Sequence, residues 1–309
     1  MSRLDEDAPI RSSSPASGRS LPLALLAEAR PKQWVKNVLV LAAPGAFGTL
    51  RQADVLLNTA IAFICFCLVA SGTYYLNDAN DVEADRLHPT KRYRPIAAGE
   101  VPLGLARIVG VGLLVSGLLL AVLTRWQLGV VVAAYVVLTT SYTLWLKHIP
   151  IVDIVAVAAG FVLRAIAGGA ATDIEISDWF FILTSFGSLF VVAGKREAEF
   201  HEMGDDATDT RATLGEYSAS YLSYVRSVTS GVLFVAYCLW AFEKAEGANH
   251  AIPWFQLSIV WFVLGVLRYA LLIDAGRGGA PEELVLSDRT LMVFGAIWAL
   301  TFAAGIYLD

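Results

Sequence analysis

The chain is expected to be an all-α, polytopic integral membrane protein, for three reasons. Of its 309 residues, 56% are hydrophobic and only 17% are charged, and its mean hydropathy is +0.59; a soluble domain carries roughly a quarter charged residues. A globule this apolar could not cover its own surface, which excludes a soluble enzyme, a disordered chain and a fibrous repeat. Second, the apolar residues form long, nearly unbroken runs rather than ten-residue alternations, so the spans are helices and not barrel strands. Third, no other framework is available. Cys65, Cys67 and Cys238 lie inside apolar runs, and the scattered His88, His148, His201 and His250 have no metal-ligand spacing. Nothing in the sequence suggests a nucleic-acid partner.

A helix needs about 20 apolar residues to cross a hydrocarbon core of about 30 Å. Nine stretches serve: 35–49, 54–76, 102–123, 127–146, 150–171, 178–194, 217–242, 252–273 and 288–308. The first and sixth are short, Pro44 and Gly45 interrupting one and Gly187 the other. Gly110, Gly112 and Gly117 fall inside the third run, where small residues serve helix packing. Residues 1–20, rich in Ser, Pro and charge, are expected to form a disordered cytosolic tail. Orientation follows from Lys and Arg, which favour the cytosolic side. With the N-terminus inside, the outer loops keep only Arg51, Arg125 and Lys244, so the long polar loops 77–101 and 195–216 face the cytosol. The expected location is the inner (plasma) membrane of the cell.

The segment Asn77-Asp78-Ala-Asn80-Asp81-Val-Glu83-Ala-Asp85 extends the second run. If the helix continues, Asn77, Asp81 and Asp85 fall at i, i+4 and i+8 on one face, with Asp78 at its edge. Stacked carboxylates repel unless a cation sits among them. Oxygen-only ligands favour a hard ion, and magnesium typically shares such carboxylates with substrate phosphates. Asn77, Asp81 and Asp85 are therefore candidate Mg2+ ligands and, with Asp78, the candidate catalytic set; the alternative is an acidic helix end open to water. The bases that follow, Arg86, Lys91, Arg92 and Arg94, either complete a diphosphate clamp or merely mark the cytosolic face.

Ahead of the first run stands Arg30-Pro31-Lys32-Gln33-Trp34-Val35-Lys36-Asn37. It carries more polar groups than interfacial anchoring needs, which makes Lys32, Gln33 and Lys36 candidate ligand contacts. Tyr142 and Lys147, at the inner end of the fourth run, are further candidates. Asp153 and Arg164 lie within the fifth, where a charge is by default functional or paired. Three helical turns separate them, so they share a face but cannot pair directly. After the sixth run, Gly194-Lys195-Arg196-Glu197-Ala198-Glu199 sets two cations against two acids; this is a surface ion-pair cluster or a second anion site.

Taken together, Arg30 to Asn37, Asn77-Asp78-x-x-Asp81-x-x-x-Asp85 and Tyr142 to Lys147 resemble the UbiA superfamily of intramembrane prenyltransferases. The similarity covers nearly the whole chain from about residue 20. It implies a single transferase domain over 21–309, with nine transmembrane helices around a central cavity that opens laterally to lipid and a magnesium-dependent polar site on the cytosolic side. Members usually hold a prenyl diphosphate between two aspartate-rich motifs and join it to an aromatic acceptor such as 4-hydroxybenzoate. Here Gly194 to Glu199 stands in place of the second motif, a basic clamp instead of an acidic one. That departure is similar to an actinobacterial branch whose donor is phosphoribosyl diphosphate and whose acceptor is decaprenyl (polyprenyl) phosphate, for cell-wall arabinan synthesis. The resemblance then implies a donor diphosphate at magnesium on Asn77, Asp81 and Asp85, and a 5-phosphate on Lys195 and Arg196 with Arg92 or Arg94. It also implies substrate contacts from Lys32, Gln33, Lys36, Arg86, Lys91, Tyr142, Lys147 and Arg164. A homo-oligomer is left open. The rival activities are a conventional aromatic prenyltransferase and, from another class, a transporter, which would place coordinating charges near the midplane on broken helices.

Overall fold

The computed structural model describes residues 19–203, 213–247, 251–277 and 281–308. The expected tail lies outside them except for Arg19 and Ser20, and Arg19 pairs with Glu100 at 3.1 Å. In chain order the helices are α1 Leu21–Glu28, α2 Ala42–Ala46, α3 Ala53–Asn80, α4 Val82–Leu87, α5 Leu103–Thr124 and α6 Trp126–Leu144. They continue with α7 Val152–Thr172, α8 Asp178–Met203, α9 Ala219–Glu246, α10 Trp254–Asp274, α11 Pro281–Ser287 and α12 Arg289–Tyr307. No strand occurs among the described residues. Eight helices (α3, α5 to α10 and α12) are long and apolar enough to cross a membrane. The polar chain segments gather at one end of the bundle, beyond the C-termini of α3, α6, α8 and α10.

The span expected at 35–49 is corrected in kind. Pro31–Leu41 wind as a 3-10 helix, and only the single turn of α2 follows. A 3-10 helix rises about 2.0 Å per residue, so this stretch and α2 together still reach about 30 Å. The stretch runs antiparallel to α3. Arg30 pairs with Asp78, Trp34 Nε1 donates to Ser71 Oγ at 3.1 Å, and Asn37 Nδ2 donates to Cys67 Sγ at 3.3 Å. At the far end Gly48 abuts Ile306 of α12. It therefore traverses the bundle and makes the ninth pass. At its lower end an α-helix would bond the Val40 carbonyl to the amide of residue 44, which is a proline and has none. With three residues per turn the segment has three edges. Trp34, Asn37 and Val40 face the protein, Lys32, Val35 and Val38 are exposed, and Gln33 and Lys36 share an edge with Leu39, which lines a cavity.

Glycines set how closely the helices approach. A Cβ on Gly72 of α3 would lie 2.8 Å from the Gly110 carbonyl of α5, and one on Gly117 would lie 3.1 Å from the Cys65 carbonyl. Of the glycines expected to serve packing, Gly110 and Gly117 do so, whereas Gly112 faces open space. Gly168 of α7 is tightest, since a Cβ there would sit 1.9 Å from the Val40 carbonyl oxygen. Gly168→Ala is accordingly expected to cost about 3 kcal/mol, read as a lower melting temperature in detergent. Gly112→Ala, with nothing within 4 Å, should be neutral.

Between residues 39–47 and α8, α9, α10 and α12 lies a cavity of about 690 Å³, walled by Phe180, Leu233, Phe262, Val266, Trp298 and Phe302. Helix α8 runs on to Met203, well past the expected exit at 194, so the first part of the expected 195–216 loop is helical. Residues 204–212 lie outside the described ones.

Candidate active site

Helix α3 stops at Asn80, Asp81 breaks it with φ −91° and ψ 9°, and α4 starts at Val82. Asn and Asp compete for backbone groups and favour such ends. The ladder nevertheless survives the break: the Asp81 amide donates to the Asn77 carbonyl at 2.9 Å and the Asp85 amide to the Asp81 carbonyl at 2.8 Å. The backbone of Asn77, Asp81 and Asp85 therefore keeps the helical succession, one turn after another, although Asp85 is only 3% exposed. Asp78 departs from its expected place at the edge of that face. It is 1% exposed and turned inward, where it pairs with Arg30 and with Arg94 Nη1 at 3.1 Å. The same Arg94 nitrogen holds Asp85 Oδ2 at 2.7 Å. Asp81 is half-exposed, and its carboxylate has no hydrogen bond or ion pair among the described residues. These acids sit at the negative end of the α3 dipole. Three carboxylates (Asp78, Asp81, Asp85) face two guanidinium groups (Arg30, Arg94), which leaves the patch net negative.

Two contributors escape sequence reasoning. Arg30 has φ 54°, an uncommon conformation for a residue before proline; its ion pair with Asp78 and the Tyr74 ring 4.5 Å away hold it there. Glu28, at the end of α1, is fully buried beside Asp78, and neither of its oxygens finds a hydrogen bond of ordinary geometry. Burial first, and the Asp78 charge second, push its carboxyl up to about 8, so it carries its proton at neutral pH. Between the ordinary carboxylate range and pH 8 the unfolded chain gives up this proton and the folded one keeps it. Stability should therefore fall as pH rises across that window, by up to about 1.4 kcal/mol per pH unit from this group. Glu28→Gln is expected to flatten the fall in melting temperature between pH 5 and 8 in EDTA; an unchanged slope would refute it.

Of the other bases expected at the clamp, Arg86 donates to the Ala97 carbonyl at 3.3 Å and pairs with Glu83 at 3.0 Å. Arg92 bonds Tyr93 Oη at 2.7 Å, and Lys91 is exposed. Only Arg94 of this group reaches the carboxylates.

A second cluster joins α6, α7, α8 and the segment before α9. Arg196 is 2% exposed. Its Nε is 3.2 Å from Asp153 Oδ2, its Nη1 is 2.8 Å from Glu199 Oε2, and its Nη2 donates to Tyr142 Oη at 3.3 Å. Asp153 is 0% exposed and also accepts from Tyr217 Oη. Burial, then this bond, raise the Tyr217 phenol and keep it a donor. The Ile151 amide donates back to Tyr217 Oη, securing a β-branched residue at φ 69°. Arg196, a candidate phosphate contact, is thus matched inside the protein by two carboxylates, Asp153 and Glu199. Its neighbour Lys195 keeps a side chain 36% exposed, 3.9 Å from Glu199. Lys147 is half-buried, and its carbonyl accepts from Thr213 at 3.4 Å. Lys32 lies on the exposed edge of the 3-10 helix; Gln33 and Lys36 are half-buried.

Arg164 belongs to neither cluster. Deeper in the bundle, it donates from Nε to Asn37 Oδ1 at 2.8 Å, from Nη1 to the Gly160 carbonyl at 2.8 Å and from Nη2 to Tyr135 Oη at 2.7 Å. The Tyr135 and Phe161 rings lie 4.6 and 5.7 Å from its guanidinium carbon. These bonds make it a brace that ties the 3-10 segment to α6 and α7.

The UbiA prenyltransferase family profile matches residues 38–292. Decaprenyl-phosphate phosphoribosyltransferase of Corynebacterium glutamicum is 44% identical over 283 residues, covering 90% of this chain and 85% of its own. The protein of the same name in Mycolicibacterium smegmatis is 42% identical over 302 residues, covering 94% and 95%. The solved structure of a UbiA homolog from Archaeoglobus fulgidus bound to GPP and Mg2+ aligns with a TM-score of 0.71 at 18% identity, over 91% of this chain and 98% of that one. With the profile matching most of its length and the fold shared, this chain belongs to the UbiA prenyltransferase family.

Proposed function

We propose that the protein transfers the 5-phosphoribosyl group of phosphoribosyl diphosphate to decaprenyl (polyprenyl) phosphate and releases diphosphate, with its site on the cytosolic face of the inner membrane. The observation that carries this reading is the asymmetry of the two clusters. The first has an acid, Asp81, committed to no other group, whereas in the second Asp153 and Glu199 are already matched to Arg196 and Lys195. One metal-competent acidic patch suits a donor with a single diphosphate. A prenyl donor clamped between two acidic motifs would need the second patch as well. The identity to two phosphoribosyltransferases supports the same assignment.

Asn77, Asp81 and Asp85 fit magnesium by the chemistry of their donors. All three offer oxygen, and two carboxylates leave coordination places for substrate phosphates. A bound magnesium ion there supplies charge neutralisation for the departing diphosphate. Arg94, fixed by Asp78 and Asp85, adds a preorganised positive charge beside the same oxygens. In the transfer the C1–O bond to diphosphate breaks and a C1–O bond to the acceptor phosphate forms. The attacking oxygen is already anionic, so no general base is required. Gln33, Lys36, Tyr142 and Lys147 orient phosphate oxygens around it. The apolar cavity takes the polyprenyl tail.

The test is to incubate the purified protein with labelled phosphoribosyl diphosphate, magnesium and polyprenyl phosphate. A lipid-linked phosphoribose that disappears in EDTA is the expected product. Product formed only from a prenyl diphosphate and 4-hydroxybenzoate would establish a conventional prenyltransferase instead.

A further inference from the structure

Resting on that activity, we infer that Lys195 holds the phosphate of the lipid acceptor and not the 5-phosphate of the ribose donor. The face of α8 that it occupies decides this. Thr184, Ser188 and Val191 line the apolar cavity, and Lys195 follows them by eleven, seven and four residues. At about 100° per residue these steps bring Lys195 within about 40° of these three, while Leu183, Gly187 and Phe190, which also line the cavity, lie about 80–140° round the helix. It thus stands beyond the polar end of the Thr184–Ser188–Val191 edge of the stripe that walls the cavity. Arg196, a further 100° round the helix, is turned into the protein toward Asp153.

A polyprenyl phosphate carries its charge at one end of its hydrocarbon. With the tail in the cavity, the phosphate emerges where α8 passes from Val191 to Lys195. A lysine on a flexible stem, its side chain 36% exposed, can follow a phosphate that arrives from below. The cavity wall also carries a cation at its other end, Lys244 in the last turn of α9 beside Phe47. That end is remote from the carboxylates, so a phosphate bound there could not reach the donor. Lys195 stands at the end that the reaction needs.

The experiment compares binding of polyprenyl phosphate and of the uncharged polyprenol to the detergent-solubilised protein by native mass spectrometry. Steady-state kinetics in mixed micelles accompany it. The parent protein is expected to prefer the phosphate by about tenfold or more, the worth of one charge-assisted hydrogen bond. Lys195→Gln should bind both lipids alike, and its acceptor KM should rise about tenfold while the donor KM stays within about twofold. A preference that survives in Lys195→Gln, or a donor KM that rises in place of the acceptor KM, overturns the inference and leaves the activity standing. Loss of the preference in Lys244→Gln instead would place the phosphate at the far end and also overturn it. A parent protein that neither prefers the phosphate lipid nor turns over phosphoribosyl diphosphate would refute the activity itself.

Discussion

Turnover in Asp81→Asn is expected to fall by about a hundredfold or more, with the melting temperature in detergent essentially unmoved. The structural ground is that the Asp81 carboxylate supports no contact among the described residues, so its loss costs the fold nothing. Asp85→Asn should lose turnover to a similar extent and soften the fold as well, because the change weakens the 2.7 Å pair that anchors Arg94. Single-turnover assays beside thermal unfolding separate the two effects. Near-parental turnover in both variants would remove the metal clamp from the mechanism. Equal destabilisation by both would show that Asp81 has a structural partner.

Arg196→Ala is expected to cost about 3–5 kcal/mol of stability, because it strands a buried carboxylate, Asp153, with only neutral donors. The loss should appear as a large drop in melting temperature and in the yield of folded protein. Arg196→Lys should rescue little, since a single ammonium cannot fork among Asp153, Glu199 and Tyr142 as the guanidinium does. Neutralising the stranded acid should help more, so Arg196→Met combined with Asp153→Asn is expected to be more stable than Arg196→Met alone, a coupling that a double-mutant cycle measures. A stable Arg196→Ala protein with only a raised donor KM would return Arg196 to the substrate.

What the sequence could reveal here depended on how local the cause was. Length and apolarity define a bilayer crossing, so runs such as 102–123 and 150–171 agree closely with Leu103–Thr124 and Val152–Thr172. The same criteria cannot tell a 3-10 winding from an α-helix, and Pro44 was legible only as an interruption. They also end a helix where the apolar run ends, whereas α8 continues through charged residues that satisfy one another, Arg196 with Glu199 at 2.8 Å. Within the site, the turn-by-turn succession of Asn77, Asp81 and Asp85 along the backbone follows from their spacing in the sequence. The pairs that sort the remaining charges do not: Arg30 and Asp78 are 48 residues apart, Asp153 and Arg196 are 43 apart, and Asn37 and Arg164 are 127 apart. A charged residue in a membrane segment announces that it has a partner. Only tertiary packing says which one, and that choice separates Arg164 and Arg196, buried among their partners, from Lys195, whose side chain is 36% exposed.

Because the chain from Pro31 to Leu41 repeats every third residue, its length and its phase change together in steps of three. Excising Val35–Asn37 would bring Val38 under Trp34 with the remaining sides still in rotational phase, yet shorten the tract by about 6 Å. Removing one or two residues would instead twist its lower part out of alignment with α3. Relatives that differ in length here should therefore do so by triplets.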